Sequence, residues 1–150
     1  MDALTLLKAD HNKVKGMLNK LDETTERAEV TRTEGLQALK QELTVHETIE
    51  EEILYPALAE FSKTRDITFE AYEEHHVVGS IMAELERTPF DDETWAAKFT
   101  VMKENLEHHI EEEEGEMFKQ ARQVMDENDL SALGERMAAR KEELQSVRSE

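Results

Sequence analysis

Cysteine is absent from the 150-residue chain, which excludes disulfides and thiolate ligands, so any metal site must use nitrogen and oxygen donors. Proline occurs twice and glycine five times, so little interrupts an apolar spacing that is helical throughout. Basic residues are scarce: 18 lysines and arginines stand against 36 acids, a net charge of −18 that argues against nucleic acid or an anionic membrane as partner. No stretch approaches the roughly 18 apolar residues of a membrane span. The opening MDALTLLKADHNKVKG lacks a long uncharged apolar core and reads as an amphipathic helix rather than a signal peptide, so the expected location is cytoplasmic.

The length suits a single domain over residues 1–150, with enough chain to bury a core. Charged residues make up 36% of it, yet apolar residues recur regularly, which argues against disorder. Spacing predicts helix A over about 3–21, with the seam Leu4, Leu7, His11, Val14, Leu18 and Leu21. Helix B is predicted over about 33–61, with the seam Leu36, Leu39, Leu43, His46, Glu50, Ile53 and Ala57. Helix C is predicted over about 67–87, N-capped by Asp66, with the seam Ala71, His75, Val78, Met82 and Leu85. Helix D starts near Asp92 and continues to about Met125, with Trp95, Phe99, Met102, Leu106, His109 and Glu113 on its seam. Pro56 should kink or end helix B nearby. The expected fold is all-α: an antiparallel up-down four-helix bundle, with an extra C-terminal helix over about 129–147 that caps the bundle or mediates pairing.

A pattern occurs twice, 63 residues apart: His46-x-x-x-Glu50-Glu51 and His109-x-x-x-Glu113-Glu114. Residues four apart share a helix face, so each copy aims an imidazole and a carboxylate at one point. The repeat is wider than the motif. A shift of 64 carries Leu7 onto Ala71, His11 onto His75 and Val14 onto Val78. The chain therefore reads as two similar helical hairpins, about 1–62 and 64–125, joined around Ser62 to Arg65.

His11, His46, His75, His109, Glu50 and Glu113 all occupy seam positions meant for apolar side chains. A buried unpaired carboxylate costs several kcal/mol or is forced to take up a proton. Four imidazoles and two carboxylates on four seams make poor packing, whereas a pair of cations resolves the conflict. His76 and His108 fall on largely small or polar faces and read as surface residues. Glu51, Glu52, Glu111, Glu112 and Glu114 read as a solvated face, some of them able to orient ligand histidines from outside. Glu47, next to His46, is a candidate extra oxygen donor.

The elements KADH at 8–11, HETIEEEILYP at 46–56, EEHHVV at 73–78 and HHIEEEEGEMF at 108–118 together resemble the hemerythrin-like family, the His-His-Glu cation-binding domains. The resemblance implies a non-heme diiron centre, oxo- or hydroxo-bridged, inside a four-helix bundle. It implies His11, His46, His75 and His109 as terminal ligands, with Glu50 and Glu113 bridging the irons. Manganese or zinc also suits such donors. Oxygen-carrying members place a further histidine one turn before the histidine of helix C, where this chain has Ala71, and their second bridging carboxylate lies five residues after its histidine, a spacing that would select Glu114. Without the fifth histidine, about two of the roughly twelve coordination positions of two octahedral irons stay open. Val14, Leu43, Ile49, Leu106 and Ile110 are expected to line a space for dioxygen, peroxide or nitric oxide. Three functions stand as expectations: binding of dioxygen or a related oxidant for storage, sensing or scavenging; consumption of peroxide by an enzyme; and iron sensing by a bundle that metal stabilises.

Overall fold

A computed structural model of the chain describes residues 1–149, and every element in it is helical. Helix α1 spans Ala3–Asp22, and the Asp2 carboxylate caps it by accepting from the Thr5 N–H at 2.8 Å. Helix α2 spans Glu29–Ile49 and passes through a π-helical turn, Glu50–Leu54, into α3, Tyr55–Ala59. Helix α4 spans Ser62–Glu86. Helix α5, Trp95–Glu112, likewise passes through a π-helical turn, Glu113–Met117, into α6, Phe118–Val124. Helix α7 spans Glu127–Ser149. Helices α1, α2, α4 and α5 form the antiparallel bundle, and α7 packs against α1 and α2.

The second long helix begins four residues earlier than its spacing suggests. Helix α4 begins at Ser62, so the expected linker at 62–65 is its first turn and Asp66 lies inside it rather than capping it. The connection is Glu60 and Phe61 alone, because the Thr64 hydroxyl donates to the Leu58 carbonyl and supplies a partner that the end of α3 lacks. At the far end Asp92 precedes the helix: its Oδ1 accepts from the Thr94 N–H at 2.7 Å, and α5 starts at Trp95.

Pro56 does not end its helix. The Tyr55 N–H reaches back to the Glu50 carbonyl, five residues away. The Glu51 carbonyl, which proline cannot serve, takes the Tyr72 hydroxyl at 3.4 Å. The second π turn has no proline, yet it starts at Glu113, so the wide turns mark the repeat of the glutamates rather than the proline. Each wide turn absorbs one extra residue, which brings the residue five after the glutamate, Tyr55 or Phe118, to the interior with it.

The core divides in two. One apolar cluster joins Leu4, Leu7, Ile49, Leu54, Tyr55, Leu58, Ala71 and Phe118 with Leu130, Leu133 and Met137 of α7. The other joins Val14, Leu18, Leu39, Leu43, Val78, Leu85, Phe99, Met102, Leu106 and Ile110. On three of the four long helices the switch from one cluster to the other falls at a histidine: Leu7 and Val14 flank His11, Leu43 and Ile49 flank His46, and Ala71 and Val78 flank His75; on the fourth it falls at Glu113, between Ile110 and Met117. A polar layer therefore lies across the bundle, walled by apolar side chains on both sides.

Candidate metal centre

His11, His46, His75, His109, Glu50 and Glu113 form that layer, and all six are buried. The His11 and His46 rings lie with centroids 4.9 Å apart, and those of His75 and His109 5.0 Å apart. Their Nε2 atoms face the two carboxylates: His46 and His75 each approach Glu50 Oε1 at 3.2 Å. His11 approaches Glu113 Oε1 at 3.2 Å, and His109 approaches Glu113 Oε2 at 3.1 Å. The donors fall into two overlapping groups, His11, His46, Glu50 and Glu113 in one and Glu50, His75 and His109 in the other. Glu50 belongs to both, and Glu113 turns one oxygen to each half of the layer.

The inward atoms are orphans. His11, His46 and His109 Nε2, both oxygens of Glu50 and Glu113 Oε1 are buried without a hydrogen bond of acceptable geometry. Among the described residues the only other such atom is Gln120 Oε1. Buried polar groups are normally satisfied. A concentration of unsatisfied nitrogen and carboxylate donors at one point fits a cation and fits little else.

Every histidine of the layer is anchored from behind. The Nδ1–H of His46 donates to Asp10 at 3.2 Å, that of His75 to Glu51 at 2.9 Å, that of His109 to Glu74 at 2.8 Å and that of His11 to Glu114 at 2.7 Å. A carboxylate can only accept, so each bond fixes the proton on Nδ1 and leaves Nε2 free as a donor toward the interior. The anchors run in order round the bundle, from α1 to α2, from the first π turn to α4, from α4 to α5 and from the second π turn back to α1.

Burial opposes charge on His46, but Glu50 and Asp10 overcome it and raise its pKa to about 10. His75 is likewise buried, and its contact with Glu50 raises it to about 9. His109 is pushed well above the ordinary histidine value, against burial, by Glu113 and Glu74. Glu113 is held well below the usual carboxylate range despite its burial, by hydrogen bonding within the layer and by His109. All four shifts favour the charged form, imidazolium on the three histidines and carboxylate on Glu113, because each group faces charge of the opposite sign.

Tyr55 completes the layer. Its hydroxyl donates to Glu113 Oε2 at 2.6 Å and lies 3.3 Å from His75 Nε2. Its ring stacks on His75 with centroids 5.4 Å apart. Burial and the two glutamates drive its pKa well above the ordinary phenol value. Phe118, the counterpart 63 residues on, stacks on His11 at 6.1 Å and has no hydroxyl. Ala71, at the position of a carrier's fifth imidazole, is buried in the same apolar cluster as Tyr55.

The six seam residues singled out in the sequence are brought together, and His76 and His108 are exposed as expected. Glu113 enters the layer, whereas Glu114 stands behind His11. Glu47 is half-buried and lies with Glu51 and His75 in a separate group; burial raises its pKa to about 7. Of the apolar residues expected around the site, Val14, Leu43, Leu106 and Ile110 lie in one flanking core and Ile49 in the other. Sequence reasoning missed Asp10, Glu74 and Tyr55. The repeat carried the signal: Asp10 precedes His11 as Glu74 precedes His75, and Glu51 follows Glu50 as Glu114 follows Glu113.

Four helices that bury a layer of imidazoles and carboxylates between two apolar cores define a cation-binding helical bundle. The chain belongs to the Hemerythrin HHE cation binding domain family, whose sequence model matches residues 2–121. It is 32% identical over 145 residues to the uncharacterized protein Rv2633c of Mycobacterium tuberculosis (strain ATCC 25618 / H37Rv), covering 96% of this chain and 88% of that protein. The same identity and coverage hold for the uncharacterized protein Mb2666c of Mycobacterium bovis. A crystal structure of the Hemerythrin HHE cation binding domain-containing protein from Mycobacterium kansasii, a Rv2633c homolog, superposes with a TM-score of 0.86 at 30% identity, covering 98% of this chain and 89% of that one.

Proposed function

We propose that the chain is a non-heme diiron protein that reacts with dioxygen or a related small oxidant such as peroxide. The supporting observation is the set of orphaned inward donors on histidines whose outer nitrogens are already committed. His11, His46, Glu50 and Glu113 would hold one ion, and His75 and His109, sharing the two glutamates, the other. Mixed imidazole and carboxylate donors suit iron, which supplies one-electron redox chemistry and Lewis acidity when bound.

The chain's own residues supply the rest. The two apolar cores keep bulk water from the layer, which strengthens each electrostatic contact within it. The anchoring carboxylates hold the imidazoles so that little rearrangement accompanies reaction. Tyr55 holds a proton on its hydroxyl oxygen at the edge of the layer, between Glu113 and His75.

That hydroxyl favours a second reading, a peroxide-consuming enzyme, over reversible storage. Disproportionation turns two peroxides into one dioxygen and two waters, and protons must move locally while it does so. An internal hydroxyl within hydrogen-bond reach serves that need.

Elemental analysis of purified protein tests the metal, with two irons per chain expected in the wild type and little in His46→Ala combined with Glu50→Ala. Equal metal in both proteins rules out the centre. Stopped-flow spectra of the reduced protein mixed with oxygen, and steady-state peroxide consumption, then separate carrier from enzyme. Peroxide loss no faster than with free iron eliminates the enzyme.

A further inference from the structure

We propose that Lys141 of α7 is a positioning residue for this centre, acting through Asp10 to set the orientation and donor strength of His46. The proposal rests on the metal reading above and concerns what lies behind one ligand. Lys141 Nζ pairs with Asp10 Oδ1 while Asp10 Oδ2 accepts from His46 Nδ1 at 3.2 Å. One buried carboxylate thus joins the C-terminal helix to the metal layer. Helix α7 begins at Glu127, beyond the residues 2–121 that the family model matches.

The relay is built rather than incidental. The Asp10 side chain is 5% exposed and that of Lys141 24%. A buried carboxylate needs a charged partner as well as hydrogen bonds, and Lys141 supplies to Asp10 the cation that the single Nδ1–H of His46 does not. Helix α7 is held in place independently by Leu130, Leu133 and Met137 in the core, and by Arg140, which grips both oxygens of Glu52 at 2.8 and 3.3 Å. Gly134 lets it lie directly on the start of α1, since a Cβ there would collide with the Met1 carbonyl oxygen. Lys141 is therefore presented to Asp10 by a fixed helix.

Among the described residues the other half of the layer has no such device. Glu74, the counterpart of Asp10, has a side chain 28% exposed. Among the described residues, Glu74, Glu51 and Glu114 anchor their histidines without a lysine or arginine. A cation on Asp10 draws electron density from it, so Asp10 accepts less strongly from His46 than Glu74 does from His109. His46 becomes the weaker electron donor, and the two ion positions are made unequal by a residue outside both.

The test compares full-length wild type, Lys141→Met and Lys141→Arg. Lys141→Met should keep its iron, lower the reduction midpoint and move one of two iron Mössbauer signals while the other stays. Lys141→Arg should return both towards wild type. In the metal-free protein the ring-nitrogen NMR shifts of His46 should move in Lys141→Met and those of His109 should not. This arm reads the relay even if the wild type takes up no iron, a result that would sink the metal reading alone. Unchanged His46 ring shifts, or an unchanged midpoint and spectrum in an iron-loaded Lys141→Met, overturn the proposal. So does a shift that arginine fails to restore.

Discussion

Tyr55 donates its phenolic proton to Glu113 across the polar layer at 2.6 Å, joining the second long helix to the fourth. The mirror position cannot reciprocate, because Phe118 faces His11 with no hydroxyl to offer. The internal repeat is therefore faithful in its imidazoles and carboxylates and broken at this one oxygen.

Tyr55→Phe should remove that oxygen without disturbing the packing, since phenylalanine already fills the equivalent place. A hydrogen bond to a charged acceptor contributes about 1.5–3 kcal/mol, and denaturant unfolding of the metal-free variant should show a loss of that order. Iron content should be unchanged and peroxide consumption slower. A variant that consumes peroxide at the wild-type rate would show that the hydroxyl takes no part in proton movement.

Glu74→Ala should leave the fold intact, because the side chain is partly exposed, yet free the His109 ring to rotate. Loss of such an outer partner typically lowers metal affinity by about 10–100-fold. Competition with a chelator measures it, and Glu73→Ala, on an exposed neighbour, serves as the control.

Metal binding should release protons. His46, with a pKa raised to about 10, and His75, raised to about 9, are protonated at neutral pH in the metal-free layer and must lose their Nε2 protons to bind a cation. Affinity should therefore rise with pH. The metal-free protein should do the reverse. A raised folded pKa contributes stability that is complete below the unfolded value of about 6.5 and lost as pH climbs through 9 to 10. Calorimetry in buffers of different ionisation enthalpy counts the protons, and thermal melts from neutral to alkaline pH follow the stability.

Gly134→Ala should loosen α7. The added methyl would collide with the Met1 carbonyl oxygen and meet the Asp2 carbonyl carbon and the Ala3 nitrogen at 2.7 and 2.8 Å, and rigid backbone cannot step aside. Overpacking of this kind costs roughly 1–3 kcal/mol. A lower melting temperature with faster amide exchange in α7 is the expected result, whereas Gly16→Ala, with open space around it, should be neutral or slightly stabilising.

The faces of the long helices were legible because apolar steps of three and four leave no other period, and six polar residues on those faces are conspicuous for the same reason. The anchors were not. Asp10 and Glu74 are two among 36 acids, and only the geometry of the bundle distinguishes a carboxylate behind a histidine from one in solvent. The π turns were hidden too, because one residue absorbed in a wide turn leaves the spacing from His46 to Glu50 untouched and shifts only the residues beyond Glu50. Tyr55 was visible as a letter in the motif, but its inward aim depends on that turn. Asp66 has the chemistry of a cap but not the place of one, because the hydroxyl of Thr64 lets the helix begin at Ser62.

The circular order of the anchors bears on how the chain is made. Synthesis delivers His11 before the rest of the layer and its anchor Glu114 after all of it, whereas His46, His75 and His109 each emerge after their anchors. A nascent chain that has released only its first hairpin holds one fixed imidazole, one loose one and a single inward glutamate. On the proposed function, tight capture of an ion would wait until the second hairpin closes on the first, so a loaded protein would be one whose second hairpin has been both made and folded.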